Sequence, residues 1–137
     1  MKVVNLVLGL CAISVVGHNF GTLKANAQTT NDWVDGALGR YSSQIFNAGM
    51  LSSGTTEFQE SWDGSLGGNY TMREGGQIVS GTLSECVATK VQVMRCLWKD
   101  RYGEGYLEVT FTEDFTNFNG YWGTLDSEPL FRWSGSR

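Results

Sequence analysis

Histidine is almost missing from this chain: the one copy, His18, lies in a stretch near the N-terminus that is otherwise mostly apolar. Lys2 precedes an apolar run from Val3 to Val16, and a polar stretch follows that closes on Lys24-Ala25-Asn26-Ala27-Gln28. A basic start, a short apolar run and small residues at 25 and 27 mark residues 1–27 as a secretory signal peptide, with cleavage expected after Ala27. The run is shorter than the roughly 20 residues that a spanning helix needs, so no membrane span is expected. The mature chain expected from Gln28 to Arg137 then holds no histidine, which excludes a Ser-His-Asp or Cys-His mechanism and any histidine-ligated metal.

Cysteine is scarce too. Cys11 leaves with the leader, and Cys86 and Cys96 remain as an even pair. In an exported protein a structural disulfide between them is the default expectation. The two bracket "VATKVQVMR", which can turn back as a hairpin and set them opposite each other. Their spacing is far from the Cys-x-x-Cys of a redox-active pair.

Basic charge is in short supply. Lys2 and Lys24 go with the leader, so ten basic residues become eight against fourteen acidic ones, a net charge of −6. An acidic surface argues against nucleic acid and anionic membranes as partners. The localisation expected is secreted or periplasmic, in a bacterial setting.

About 110 residues remain, enough for one domain with its own core. From Asn31 to about Met50, Trp33, Ala37, Tyr41 and Ile45 recur every fourth position, with Val34 and Leu38 beside them. This spacing predicts an amphipathic helix with Asn31 or Asp32 as its cap, and "SSGTT" at 52–56 reads as a linker. Residues 28–54 are therefore expected to form a helical arm and linker.

From residue 55 to 137 the texture is β. "TEFQESW" reads as a strand, "GGNYTMREGGQIVSGTL" folds back through Arg73–Gly76, "DRYGEG" is a turn, and Leu107, Val109 and Phe111 alternate with polar residues in "YLEVTFT". "EDFTNF" turns the chain again, before "FNGYWGTL" and "PLFRWSGS". Short strands at spacings of roughly 8–12 residues are the signature of a sandwich or barrel. Gly81 and Gly120 each interrupt an apolar strand, where a glycine lets a coiled sheet bend and an aromatic lie over the bare position. Two such bends favour an all-β fold, a small antiparallel meander β-barrel, over a flat sandwich.

The residues Ser61-Trp62, "VSGTL", Leu97-Trp98, "FNGYWG" and the terminal "FRW" resemble the texture of secreted bacterial domains and of calycin barrels such as avidins and lipocalins, over Glu57 to Arg137. The resemblance implies a coiled meander barrel. It carries over no binding residue, because no Asn-x-Gly-x-Trp opens the domain.

The chemistry on offer is thin. Asp100, Glu104, Glu113 and Asp114 fall in expected turns, where acidic residues serve solvation and local hydrogen bonds. No metal or other cofactor is expected. The aromatics stand out, since large rings dominate cores and interfaces. Tyr121 and Trp122 are neighbours on a strand and must point to opposite faces, while Tyr102 and Tyr106 flank a turn that could rim the same mouth. Tyr102, Tyr106, Tyr121 and Trp122 are therefore the candidate ligand-binding residues of a non-catalytic domain that takes a small apolar or glycan ligand, or a protein surface. An inhibitor or assembly factor that docks a partner through the Trp33–Phe46 arm is the alternative, and a carboxylate-dependent enzyme is third.

Overall fold

The computed structural model describes residues 32–137. The expected leader and its cleavage point lie outside the described residues. Eight strands, β1 (Gly39–Asn47), β2 (Met50–Glu60), β3 (Leu66–Glu74), β4 (Gln77–Lys90), β5 (Val93–Asp100), β6 (Gly103–Phe111), β7 (Asn117–Thr124) and β8 (Phe131–Ser136), follow one short helix, α1 (Val34–Ala37). Each strand pairs antiparallel with its neighbour in sequence, and β8 returns to β1, closing an all-β barrel.

The predicted helix over 31–50 shrinks to the single turn of α1, and from Gly39 the chain is strand. A repeat of four fits a helix of period 3.6, but it also fits every second residue of a strand. Tyr41 and Ile45 do share a face, with the buried Ser43 between them, and that serine concealed the alternation. The expected linker "SSGTT" likewise lies inside β2, so the boundary drawn at 54/55 cuts through a strand. Nine pairs join β1 to β2 and fix both into the barrel wall.

Inward positions are mostly apolar, Ser43, Ser52 and Thr56 being buried polar exceptions, and outward ones are largely Ser, Thr, Asn, Gln and charged, as in Arg40-Ser42-Gln44 of β1 and Asn69-Thr71-Arg73 of β3. A barrel facing lipid shows the opposite alternation. Among the described residues no helix is long and apolar enough to cross a membrane.

One barrel end is sealed by α1 and an aromatic cluster. Tyr41, Phe58, Phe111 and Phe118 meet in tilted or edge-on contacts, with ring centroids 5.2–6.0 Å apart. Tyr41 donates its hydroxyl to the Ala37 carbonyl at 3.0 Å, which ties α1 to this cluster. Arg137 spans the same end, donating to the carbonyls of Phe115, Leu38 and Gly36, with its guanidinium 4.5 Å from the Tyr41 ring centre.

The two strand glycines do different work. A Cβ on Gly81 would run into the Tyr70 ring, which lies over the bare backbone. At Gly120 no aromatic does so. A side chain there would collide with the Glu108 carbonyl and Val109 Cγ1, both 2.7 Å away, so this glycine lets three strands crowd together at the waist.

Cys86 and Cys96 form the expected disulfide. It joins β4 to β5 beside a bulge at Ser84–Val87, where Glu85 adopts a positive φ of 50°, and both cysteines are buried. A buried structural disulfide points to an oxidising compartment.

Candidate functional site

The hairpin turns at Ala48-Gly49, Gly75-Gly76 and Arg101-Tyr102, with the longer β7–β8 loop, all fall at the barrel end opposite α1. Among the described residues no helix covers this end. The inward residues just below the turns surround a small mouth, lined by Ile45 and Asn47 of β1, Tyr70 and Met72 of β3, Trp98 and Asp100 of β5, Tyr102, Trp122 of β7 and Trp133 of β8.

Three tryptophans converge here, and each indole N–H is already engaged by the protein. Trp98 donates to the Gly123 carbonyl and Trp122 to the Phe46 carbonyl, both at 2.9 Å. Trp133 donates to Thr56 Oγ1 at 2.9 Å, and Thr56 donates its own hydroxyl to Ser43 Oγ at 3.0 Å. Trp98 meets Trp122 edge-on at 5.3 Å, and Tyr70 meets Trp133 edge-on at 4.6 Å. A wide aromatic wall is thereby locked in place with no spare indole donor.

The rim is acidic. Tyr70 donates its hydroxyl to Asp100 Oδ2 at 2.7 Å, and the Tyr102 amide donates to Asp100 Oδ1 at 2.8 Å. Glu74 Oε2 accepts from the Tyr102 hydroxyl at 2.9 Å and from Asn47 Nδ2 at 3.4 Å. Burial, and secondarily the neighbouring Asp100 carboxylate, push the Tyr70 phenol far above its ordinary value, so it stays a proton donor.

The cavity measures about 40 Å³, whereas sites that engulf a drug-sized molecule hold roughly 300–1,000 Å³. The mouth therefore suits one small chemical group. Apolar surface lies directly beside it. Trp122 packs on Phe131 at 4.8 Å, Phe131 stacks on Phe46 at 6.0 Å, and Leu51 stands across the β1–β2 ladder from Phe46. Met50, Leu51, Leu130 and Phe131 are all exposed. A larger open trough of about 580 Å³ runs between the β2–β3 loop and β4, but no aromatic residue lines it.

The four predicted binding residues separate into two pairs. Tyr102 and Trp122 meet at the mouth. Tyr106 and Tyr121 instead lie on the outer wall, Tyr106 under the Arg95 guanidinium at 4.3 Å and Tyr121 between Glu108 and Arg132 on the flanking strands. The alternation of β6 and β7 sets this division: Tyr106 and Tyr121 fall on outward positions and Trp122 on an inward one. Sequence reasoning left Tyr70, Trp98 and Trp133 out of the binding set, and it also missed two polar residues, Asn47 and Glu74. Each is the last residue of its strand before a two-residue turn, and turns that alternate along a meander share one barrel end.

The four candidate carboxylates do not converge. Asp100 is at the mouth, Glu104 sits outward on β6 opposite Lys99, and Glu113 and Asp114 lie in the β6–β7 loop at the sealed end. Asp114 serves that loop, accepting from the hydroxyls of Thr112 and Thr116, and those bonds hold its carboxyl below the usual range.

Fold comparison agrees with the architecture. The chain is similar to a solved structure described as a redesigned β-barrel, at 16% identity with a TM-score of 0.59, covering 75% of this chain and 92% of that one. At this identity the likeness speaks to fold alone. No protein-family profile matches the chain, and no curated protein does.

Proposed function

We propose that this protein is an exported, non-catalytic binding domain that receives a small group of its ligand in the tryptophan-walled barrel mouth. The observation that carries this reading is the convergence of Trp98, Trp122 and Trp133 on the uncovered end, with every indole N–H engaged internally. Fixed rings beside an exposed apolar strip offer a preformed contact surface, with little ordering left to do on binding. The mouth carboxylates serve as hydrogen-bond acceptors for Tyr70 and Tyr102, which fits binding better than acid–base chemistry. The arm-docking alternative has less support, because Val34, Ala37, Tyr41 and Ile45 are buried in the barrel.

Native mass spectrometry of the mature protein purified from its own source tests this reading. A reproducible added mass, lost in Trp98→Ala with the far-ultraviolet spectrum unchanged, is the expected result. An added mass that survives Trp98→Ala and Trp122→Ala moves the site elsewhere.

A further inference from the structure

The polar groups of the mouth are one-sided. The hydroxyls of Tyr70 and Tyr102, the Asn47 amide and the three indoles all donate to carboxylates or other acceptors of the protein itself. What remains toward a ligand is mostly acceptor: the unused lone pairs of Asp100 and Glu74 and the Asn47 amide oxygen, with the second Asn47 N–H as a spare donor, set among aromatic rings. Arg101 reaches this rim too, its guanidinium 5.0 Å from the Tyr102 ring centre and donating to the Tyr102 hydroxyl, which leaves Asp100 without a basic partner among the described residues.

A neutral sugar needs donors as well as acceptors, an anion would meet two carboxylates, and a purely apolar group would leave those carboxylates desolvated. A cationic donor fits all of these features, because aromatic rings attract ammonium groups and the carboxylates accept their protons. The cavity of about 40 Å³ admits an ammonium head. The Phe46–Phe131 strip and the exposed Leu130 beside the mouth offer an apolar stem a place to lie.

Resting on the binding reading above, we infer that the ligand presents a primary or N-methylated ammonium group on an apolar stem, with the ammonium between Asp100 and Glu74 and the stem along Phe46 and Phe131. The net negative charge of the mature chain favours the approach of such a cation.

Calorimetric titration with hexylammonium, hexan-1-ol and hexanoate, with tryptophan fluorescence followed in parallel, tests the inference. Hexylammonium should bind about tenfold more tightly than the alcohol, with hexanoate weakest. Glu74→Gln should weaken hexylammonium binding several-fold and leave hexan-1-ol unchanged, and so should Asp100→Asn, the second variant guarding against a local effect of either one. Equal binding of alcohol and ammonium, with mouth fluorescence responding to both, overturns the ammonium assignment and keeps the mouth as the site. Failure of all three probes to perturb the mouth, in a protein that also carries no native mass, overturns both.

Discussion

Trp122 donates its indole N–H to the carbonyl of Phe46, 76 positions earlier in the chain, at 2.9 Å. The bond sits where the barrel seam runs out: β1 and β8 pair only from Ser42 to Ile45 and Trp133 to Ser136, so Phe46 is the first β1 residue past the ladder. A side chain takes over from the backbone there, and in doing so it fixes one wall of the mouth.

Trp122→Phe keeps a ring against Phe131 but leaves the Phe46 carbonyl without its donor. We expect a loss of about 1–2 kcal/mol in urea unfolding. Hydrogen exchange should quicken along Phe46–Asn47 and Phe131–Arg132 while the sealed end stays protected. Unchanged exchange at the seam would show that the ladder alone holds it.

The seam bears on how much could be read in advance. The meander, its turns and the disulfide were legible from Glu57 onward because hydrophobic alternation and glycine-rich turns are local signals. The first two strands were not, since Tyr41 and Ile45 satisfy helical and strand periods alike and the buried Ser43 is polar. Ser43 is acceptable inside because Thr56 and Trp133 complete its hydrogen-bond chain, and Trp133 lies at the far end of the sequence. Of the candidate site, only Tyr102 and Trp122 were legible, as aromatic density beside a turn and within a strand. Its acidic half, Glu74 and Asp100, is created by turns that share an end only once the barrel has closed.

Because β1 is part of the wall, a protein beginning at Thr55 should not fold. It would lack β1 and part of β2 and leave the rest of β2 and β8 with unpaired edges. Circular dichroism and size-exclusion chromatography should show an unfolded or aggregated chain. A cooperative, monomeric thermal transition would restore residues 28–54 to the status of a separate arm.

Gly81 and Tyr70 should be energetically coupled. Gly81→Val places a branched side chain where the Tyr70 ring lies, and overpacking of this kind costs about 1–3 kcal/mol. In a Tyr70→Leu background the same change should cost clearly less, and a double-mutant cycle measures the difference. Additive effects would mean that the ring and the glycine do not compete for the same space.

Tyr70 and Tyr41 give the barrel an alkaline limit. Burial raises both phenols, with the Asp100 charge adding to the effect at Tyr70 and Arg137 opposing it at Tyr41. In the unfolded chain both ionise near pH 10, whereas in the folded chain they keep their protons. The folded state therefore holds more protons above that pH, and stability present below it is lost as the pH rises. Denaturant melts from pH 8 to 11 should show a steep decline, made shallower by Tyr70→Phe. The same slope in the variant would contradict the assignment.

The proposal that the open end is the binding site is tested most directly by the indole region of the proton–nitrogen correlation spectrum of the mature protein, titrated with hexylammonium. Trp98, Trp122 and Trp133 line the mouth, while Trp33 packs by the sealed end and Trp62 stands fully exposed in the β2–β3 loop. The account predicts saturable shifts of the first three indoles, with Trp33 and Trp62 unmoved. Saturable shifts confined to Trp33 or Trp62 would contradict it.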